Sequence, residues 1–173
     1  MAAEKVGEGG GGEGNGEDGG GVLIRDSSPI IRNCSFISNI AGEFDSAGYS
    51  GKGAGLHVDG GSPRIEQSNF MNNIADFGGG GACVDNLAEP VFSYCTFLAN
   101  QAGYAGGGLL IRGGAVPAVE FCDFVGQIGV PVGAGLAVIG GAAETFLIHS
   151  CDFVDNRGTD GAGACIISAA VDF

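Results

Sequence analysis

A glycine-rich corner, a phenylalanine and a proline each return about every 27 residues along this 173-residue chain. Between these markers the apolar residues alternate in twos. The three observations predict an all-β fold: a right-handed, single-stranded parallel β-helix, a solenoid of about five full turns and a partial sixth.

The corners come first in each repeat. A Gly-x-Gly begins at Gly19, Gly53, Gly79, Gly106, Gly133 and Gly161, in steps of 34, 26, 27, 27 and 28 residues. Each corner runs into a short apolar segment: VLI, LHV, ACV, LLI, LAV or ACI. In LLIR, strand alternation sends Leu109 and Ile111 one way and Leu110 and Arg112 the other. Prolines 29, 63, 90 and 117 mark the next segment, and the fifth copy lacks one. Phe36, Phe70, Phe97, Phe124 and Phe153 follow, each with an amide three residues on: Asn39, Asn73, Asn100, Gln127 and Asn156. No window carries the i, i+3, i+4, i+7 stripe of an amphipathic helix. Collagen needs glycine at every third residue, whereas the 36 glycines here are clustered.

Stacked turns convert repeated positions into columns. The five phenylalanines form an interior aromatic stack, and Ile31, Ile65, Phe92, Val119 and Ile148 line the same core. The amides form a ladder that satisfies turn backbone. Cys34, Cys95, Cys122 and Cys151 share a column with Ser68 and read as free thiols, small hydrophobes in a core. Neighbouring coils lie close enough for a disulfide, but the column needs none. Cys83 and Cys165 sit mid-strand in non-adjacent turns. No C-x-x-C supports zinc. Arg25 with Asp59, Asp85 with Arg112 and Arg32 with Glu66 place opposite charges on adjacent coils and pin the register.

Residues 1–18 read as an acidic, glycine-rich tail and 19–173 as the β-helix domain. The net charge of −13 argues against nucleic acid and anionic membrane as partners. No stretch approaches the roughly 20 apolar residues of a membrane span, so membrane insertion by this chain is not expected. The N-terminus lacks the apolar region of a secretory signal. The last turn stops after one strand with no evident cap. That reads as a fragment of a longer protein, or as an end open to end-to-end self-association or a larger assembly.

The GG[AG]-aliphatic corner paired with F-x-x-N resembles the repeats of polymorphic outer-membrane proteins. More broadly, it resembles right-handed β-helix proteins of the pectin-lyase-like superfamily, over residues 19–167. The resemblance implies the ladder role of the amides and a place at the cell surface or outside it. Activity it leaves open, because that superfamily holds lyases, hydrolases, epimerases, adhesins and structural modules. Its lyases use a Lys or Arg base beside calcium-binding carboxylates, and its hydrolases several close aspartates. Here the only lysines are Lys5 and Lys52, and His57 and His149 fall in different columns. The N-x-D, D-D and G-H-G signatures are missing. The expectation is a non-catalytic module: a surface adhesin, a glycan- or protein-binding segment, or a structural repeat. The alternative is a carbohydrate-active enzyme (lyase, hydrolase or epimerase) or a piece of one.

Two places stand out as candidate sites. Asp123 and Asp152 occupy equivalent outward positions on adjacent turns, with Glu120, His149 and Asp155 nearby. Like carboxylates one strand spacing apart repel, which a bridging calcium ion would relieve. The first turn is enlarged by about seven residues between Asn39 and Gly53, and solenoid insertions become loops that often bind. Phe44, Asp45, Tyr49 and Lys52 are its candidate contacts, for a glycan or a protein.

Overall fold

A repeat of short alternating strands separated by glycine can bury one face only by stacking on its neighbours. The computed structural model of the chain has that form and describes residues 18–42, 51–129, 132–140 and 147–167. In the third coil the strands are Ala82–Asp85, Val91–Ser93, Thr96–Leu98 and Gln101–Ala102. Equivalent strands pair in parallel into four sheets of six, five, five and four strands, numbered 1 to 4 in that order. Sheet 1 runs in register Val22↔Leu56↔Ala82↔Leu109↔Leu136↔Ala164, so its steps are the corner spacings of the sequence. Among the described residues four coils carry all four strands, the fifth carries three and the sixth one. That is one complete turn fewer than the repeat count implies. In the fifth coil the last strand is reduced to a single bridge, Arg157 to Ile128.

The core columns form as the periodicity implies. Phe36, Phe70, Phe97, Phe124 and Phe153 stack with centroids 4.6, 4.7, 4.7 and 4.9 Å apart and planes within 7°. Ile31, Ile65, Phe92, Val119 and Ile148 are register partners beside them. The ladder is equally continuous. Asn39 Nδ2 donates to Asn73 Oδ1 (2.8 Å), Asn73 Nδ2 to Asn100 Oδ1 (2.9 Å) and Asn100 Nδ2 to Gln127 Oε1 (3.1 Å). Asn156 Oδ1 accepts the Gln127 N–H at 2.9 Å.

Two corners turn on single residues with left-handed backbone. Between sheets 2 and 3 these are Asn33, Gln67, Tyr94, Phe121 and Ser150, with φ of 49–55°. Between sheets 3 and 4 they are Ser38, Asn72, Ala99, Gly126 and Asp155. One such residue swings the chain so that the next side chain points inward, into the cysteine column or the amide ladder. The glycine corner works differently. Gly106 needs its freedom of φ (+61°), but Gly107 and Gly108 do not have positive φ. Gly108 is required for space instead, because a Cβ there would lie 2.5 Å from the Gly135 carbonyl oxygen and 2.9 Å from Phe124.

All three charged columns pair as the spacing implies: Arg25–Asp59 at 3.0 Å, Arg32–Glu66 at 2.6 Å and Arg112–Asp85 at 3.2 Å. Glu66 also takes Arg64 at 2.8 Å. Hydrogen bonds from Arg64 and then Arg32 hold the Glu66 carboxyl below its ordinary range. The arginines stay at least partly exposed while the Asp59, Asp85 and Glu66 side chains are mostly covered, and pairing between coils acts mainly on register.

Candidate functional site: the groove over sheet 1

Strand alternation turns Leu23, His57, Cys83, Leu110 and Ala137 to the outside of sheet 1. Yet Cys83, Leu110 and Ala137 are fully buried. The chain before each glycine corner covers them. Lys52, Gly78, Ala105, Val132 and Asp160 form a separate ladder of parallel bridges. Ala105 and Val132 pack with Cys83, Leu110 and Ala137 in a second apolar cluster, joined by Phe77, Ile139 and Cys165. Burial drives the Cys83 thiol strongly upward, so that thiol is chemically quiet.

The ladder and sheet 1 bound a groove of about 650 Å³, lined by Lys52, Phe77, Tyr104, Leu110, Arg112, Gly113, Ile139 and Gly140. Phe77 and Tyr104 come from equivalent positions in adjacent coils, and their rings stack at 5.2 Å. The Arg112 guanidinium lies 5.7 Å from the Phe77 centroid, within cation–π range. Asp85 holds Arg112 and lies 3.8 Å from Lys52 Nζ. Asp18 accepts the Lys52 backbone N–H (2.9 Å) and pairs with its ammonium (3.0 Å). One wall is therefore apolar and aromatic. The other offers cationic donors, each matched to a carboxylate.

His57 lies behind this wall, 97% buried by its 3% exposure. Among the described residues neither ring nitrogen finds a hydrogen-bond partner, and Nδ1 is 3.8 Å from Asp18. Burial first, and the Lys52 charge with it, outweigh the attraction of Asp18 and lower its pKa below 6.5. Burial pushes Asp59 up, but the Arg25 hydrogen bond and the His57 and Arg25 charges leave it below its ordinary value. Because the folded chain resists protonating His57, stability is full above about pH 6.5 and falls as pH drops toward the depressed value. Denaturant midpoints at about pH 7.5 and 5.5 should therefore separate more for the native chain than for His57→Leu, with a limiting slope of about 1.4 kcal/mol per pH unit. Equal separations would place a charged imidazole in the folded state.

Of the loop residues singled out by sequence, Phe44, Asp45 and Tyr49 lie outside the described residues. Lys52 belongs to the bridge ladder and reaches the groove. Asp18, assigned to the tail by composition, is part of the same network. Asp123 and Asp152 are register partners, both exposed, with Glu120 and His149 paired on sheet 2. Two carboxylates supply at most about four of the roughly six to eight oxygens calcium takes. Among the described residues no group of three or more His, Cys, Asp or Glu side chains converges to hold a metal.

The parallel sheets, core stack and amide ladder meet a matching family description. The model for the right handed beta helix region covers residues 13–171. The chain belongs to the right-handed β-helix family. No curated protein matches it significantly, and no solved structure does.

Proposed function

We propose that this β-helix chain is a non-catalytic binding module that takes a glycan or an extended protein segment in the groove over sheet 1. It serves as a repeat segment of a surface adhesin or larger assembly. The observation that carries this reading is the concave site in which Arg112 lies over Phe77 while Asp85 holds it, with Tyr104 stacked alongside. Aromatic edges and an apolar floor suit the C–H faces of sugars or side chains, and the paired charges offer both donors and acceptors. The near balance of Lys52 and Arg112 with Asp18 and Asp85 favours an uncharged ligand over a polyanion. The resemblance to outer-membrane repeats supports a surface location.

A glycan and peptide array probed with the native chain and with Tyr104→Ala tests the site. Tyr104 is 38% exposed, so its truncation should leave the fold intact, checked by circular dichroism. Expected is retention of an uncharged ligand by the native chain, weakened about tenfold in the variant, equivalent to about 1.4 kcal/mol. Undiminished retention by the variant would rule out the groove as the binding site.

A further inference from the structure

The cysteine column holds chemistry that the groove does not use. All six cysteines are free thiols. Register pairing on either side, Val119↔Ile148 in sheet 2 and Asp123↔Asp152 in sheet 3, brackets Cys122 and Cys151. The Asp152 N–H donates to the Cys122 carbonyl at 3.1 Å. The two cysteines are thus neighbours across one strand spacing, about 4.8 Å, inside the roughly 4.4–6.8 Å span that a disulfide bridges. Their sulfurs also sit alike. Cys122 Sγ lies 3.2 Å from the Glu120 oxygen and 3.7 Å from that of Phe92. Cys151 Sγ lies 3.4 Å from the His149 oxygen and 3.5 Å from that of Val119. Both thiols therefore point into the same inner channel.

Access singles out one pair. Cys95 and Cys122 are buried, at 1% and 0% exposure, whereas Cys151 is half-buried. Cys34 is exposed, but its neighbour in the column is Ser68, whose Oγ accepts the Cys34 N–H at 3.2 Å. Cys83 and Cys165 are separated by Leu110 and Ala137. Among the described residues Cys151 is the one cysteine that combines solvent access with an adjacent thiol.

We propose that Cys151 is an oxidation site for hydroperoxides, with Cys122 as its resolving thiol, and that their disulfide staples the fourth coil to the fifth. The Cys151 sulfur attacks the terminal peroxide oxygen. The O–O bond breaks, an alcohol or water leaves, and the thiol proton passes to it through solvent, giving Cys151–SOH. The Cys122 sulfur then displaces hydroxide from that sulfenic sulfur. Its proton completes a water molecule, and the S–S bond forms. Two thiols have lost two electrons and one peroxide has gained them.

The test treats the full native chain with equimolar hydrogen peroxide, traps sulfenic acids with dimedone and blocks free thiols. Cleavage before aspartates and after arginines then places Cys95, Cys122 and Cys151 on separate fragments, residues 85–112, 113–122 and 123–151. Expected is a species lighter by two hydrogens, with the fragment ending at Cys122 linked to the fragment ending at Cys151. Dimedone should label Cys34, which has no resolving partner. In Cys122→Ser the link should vanish and Cys151 should take up dimedone instead. Dimedone on Cys151 with no link in the native chain would overturn the proposal. So would a link that joins Cys95, or a Cys151 inert to peroxide, and each of these is read on the native protein whether or not the variant folds.

Discussion

Phe97→Ala is expected to destabilise the protein by about 3–5 kcal/mol, near the top of the range for buried aromatic truncation. Phe97 is completely buried, and both its faces are occupied, by Phe70 and by Phe124 at 4.7 Å. Phe92 meets it at 6.1 Å. Its ring also fills the space above Gly81, where a Cβ would come within 2.7 Å of it. Few of these neighbours can move inward, because parallel pairing holds the strands at their ladder spacing. The cavity therefore stays open and the stack is cut in its middle. Total stability of a domain is commonly about 5–15 kcal/mol, so a large share is at stake. Phe153→Ala removes a half-buried ring with one stacked neighbour, Phe124 at 4.9 Å, and should cost about half as much or less. Denaturant midpoints of the two variants measure the difference. Equal losses would mean that the stack is not a continuous core.

Asn100→Ala should cost about 2–4 kcal/mol, summed over the buried groups it leaves unpaired. Asn100 Oδ1 accepts from both the backbone N–H (3.0 Å) and Nδ2 (2.9 Å) of Asn73. Its Nδ2 donates to the Phe70 carbonyl at 2.9 Å and to Gln127 Oε1 at 3.1 Å. Alanine strands two donors and one acceptor in a fully buried corner and leaves Gln127 Oε1 with only the residue 100 N–H. Asn100→Asp keeps the acceptor for Asn73 but turns a second oxygen toward two others, so it should be at least as damaging. Asn100→Gln should be the mildest, because Gln127 fills the same position one coil on and reaches the Phe97 carbonyl with its longer arm. The ranking Gln, then Ala and Asp, is read from the same denaturant midpoints. A harmless alanine would show that the ladder is ornamental.

These two residues also show what the sequence made legible. Phe97 and Asn100 repeat at a near-constant interval, and a solenoid turns interval into neighbourhood, so column membership can be counted. The single-residue corners were hidden because no residue type marks them: Asn33, Gln67, Tyr94, Phe121 and Ser150 share a backbone conformation and little else. The groove was hidden for a different reason. Its outward strand residue Leu110 reads as exposed by alternation, yet Ala105 and Val132 bury it. Phe77 and Tyr104 stand one period apart, which aligning the repeats would have exposed. Lys52, Phe77, Arg112 and Ile139 converge only because coil stacking brings distant segments over one sheet. Period and alternation together specify the columns, and neither encodes the third layer of chain that covers sheet 1.

The groove over sheet 1 is expected to bind a ligand without transforming it. Amide chemical-shift mapping of the full chain, titrated with the ligand retained on the array, tests that claim directly. The shifts should cluster at Phe77, Tyr104, Leu110, Arg112 and Ile139, and the ligand should be recovered at its original length. Shifts centred instead on Asp123 and Asp152, or a shortened glycan in the recovered sample, would contradict it.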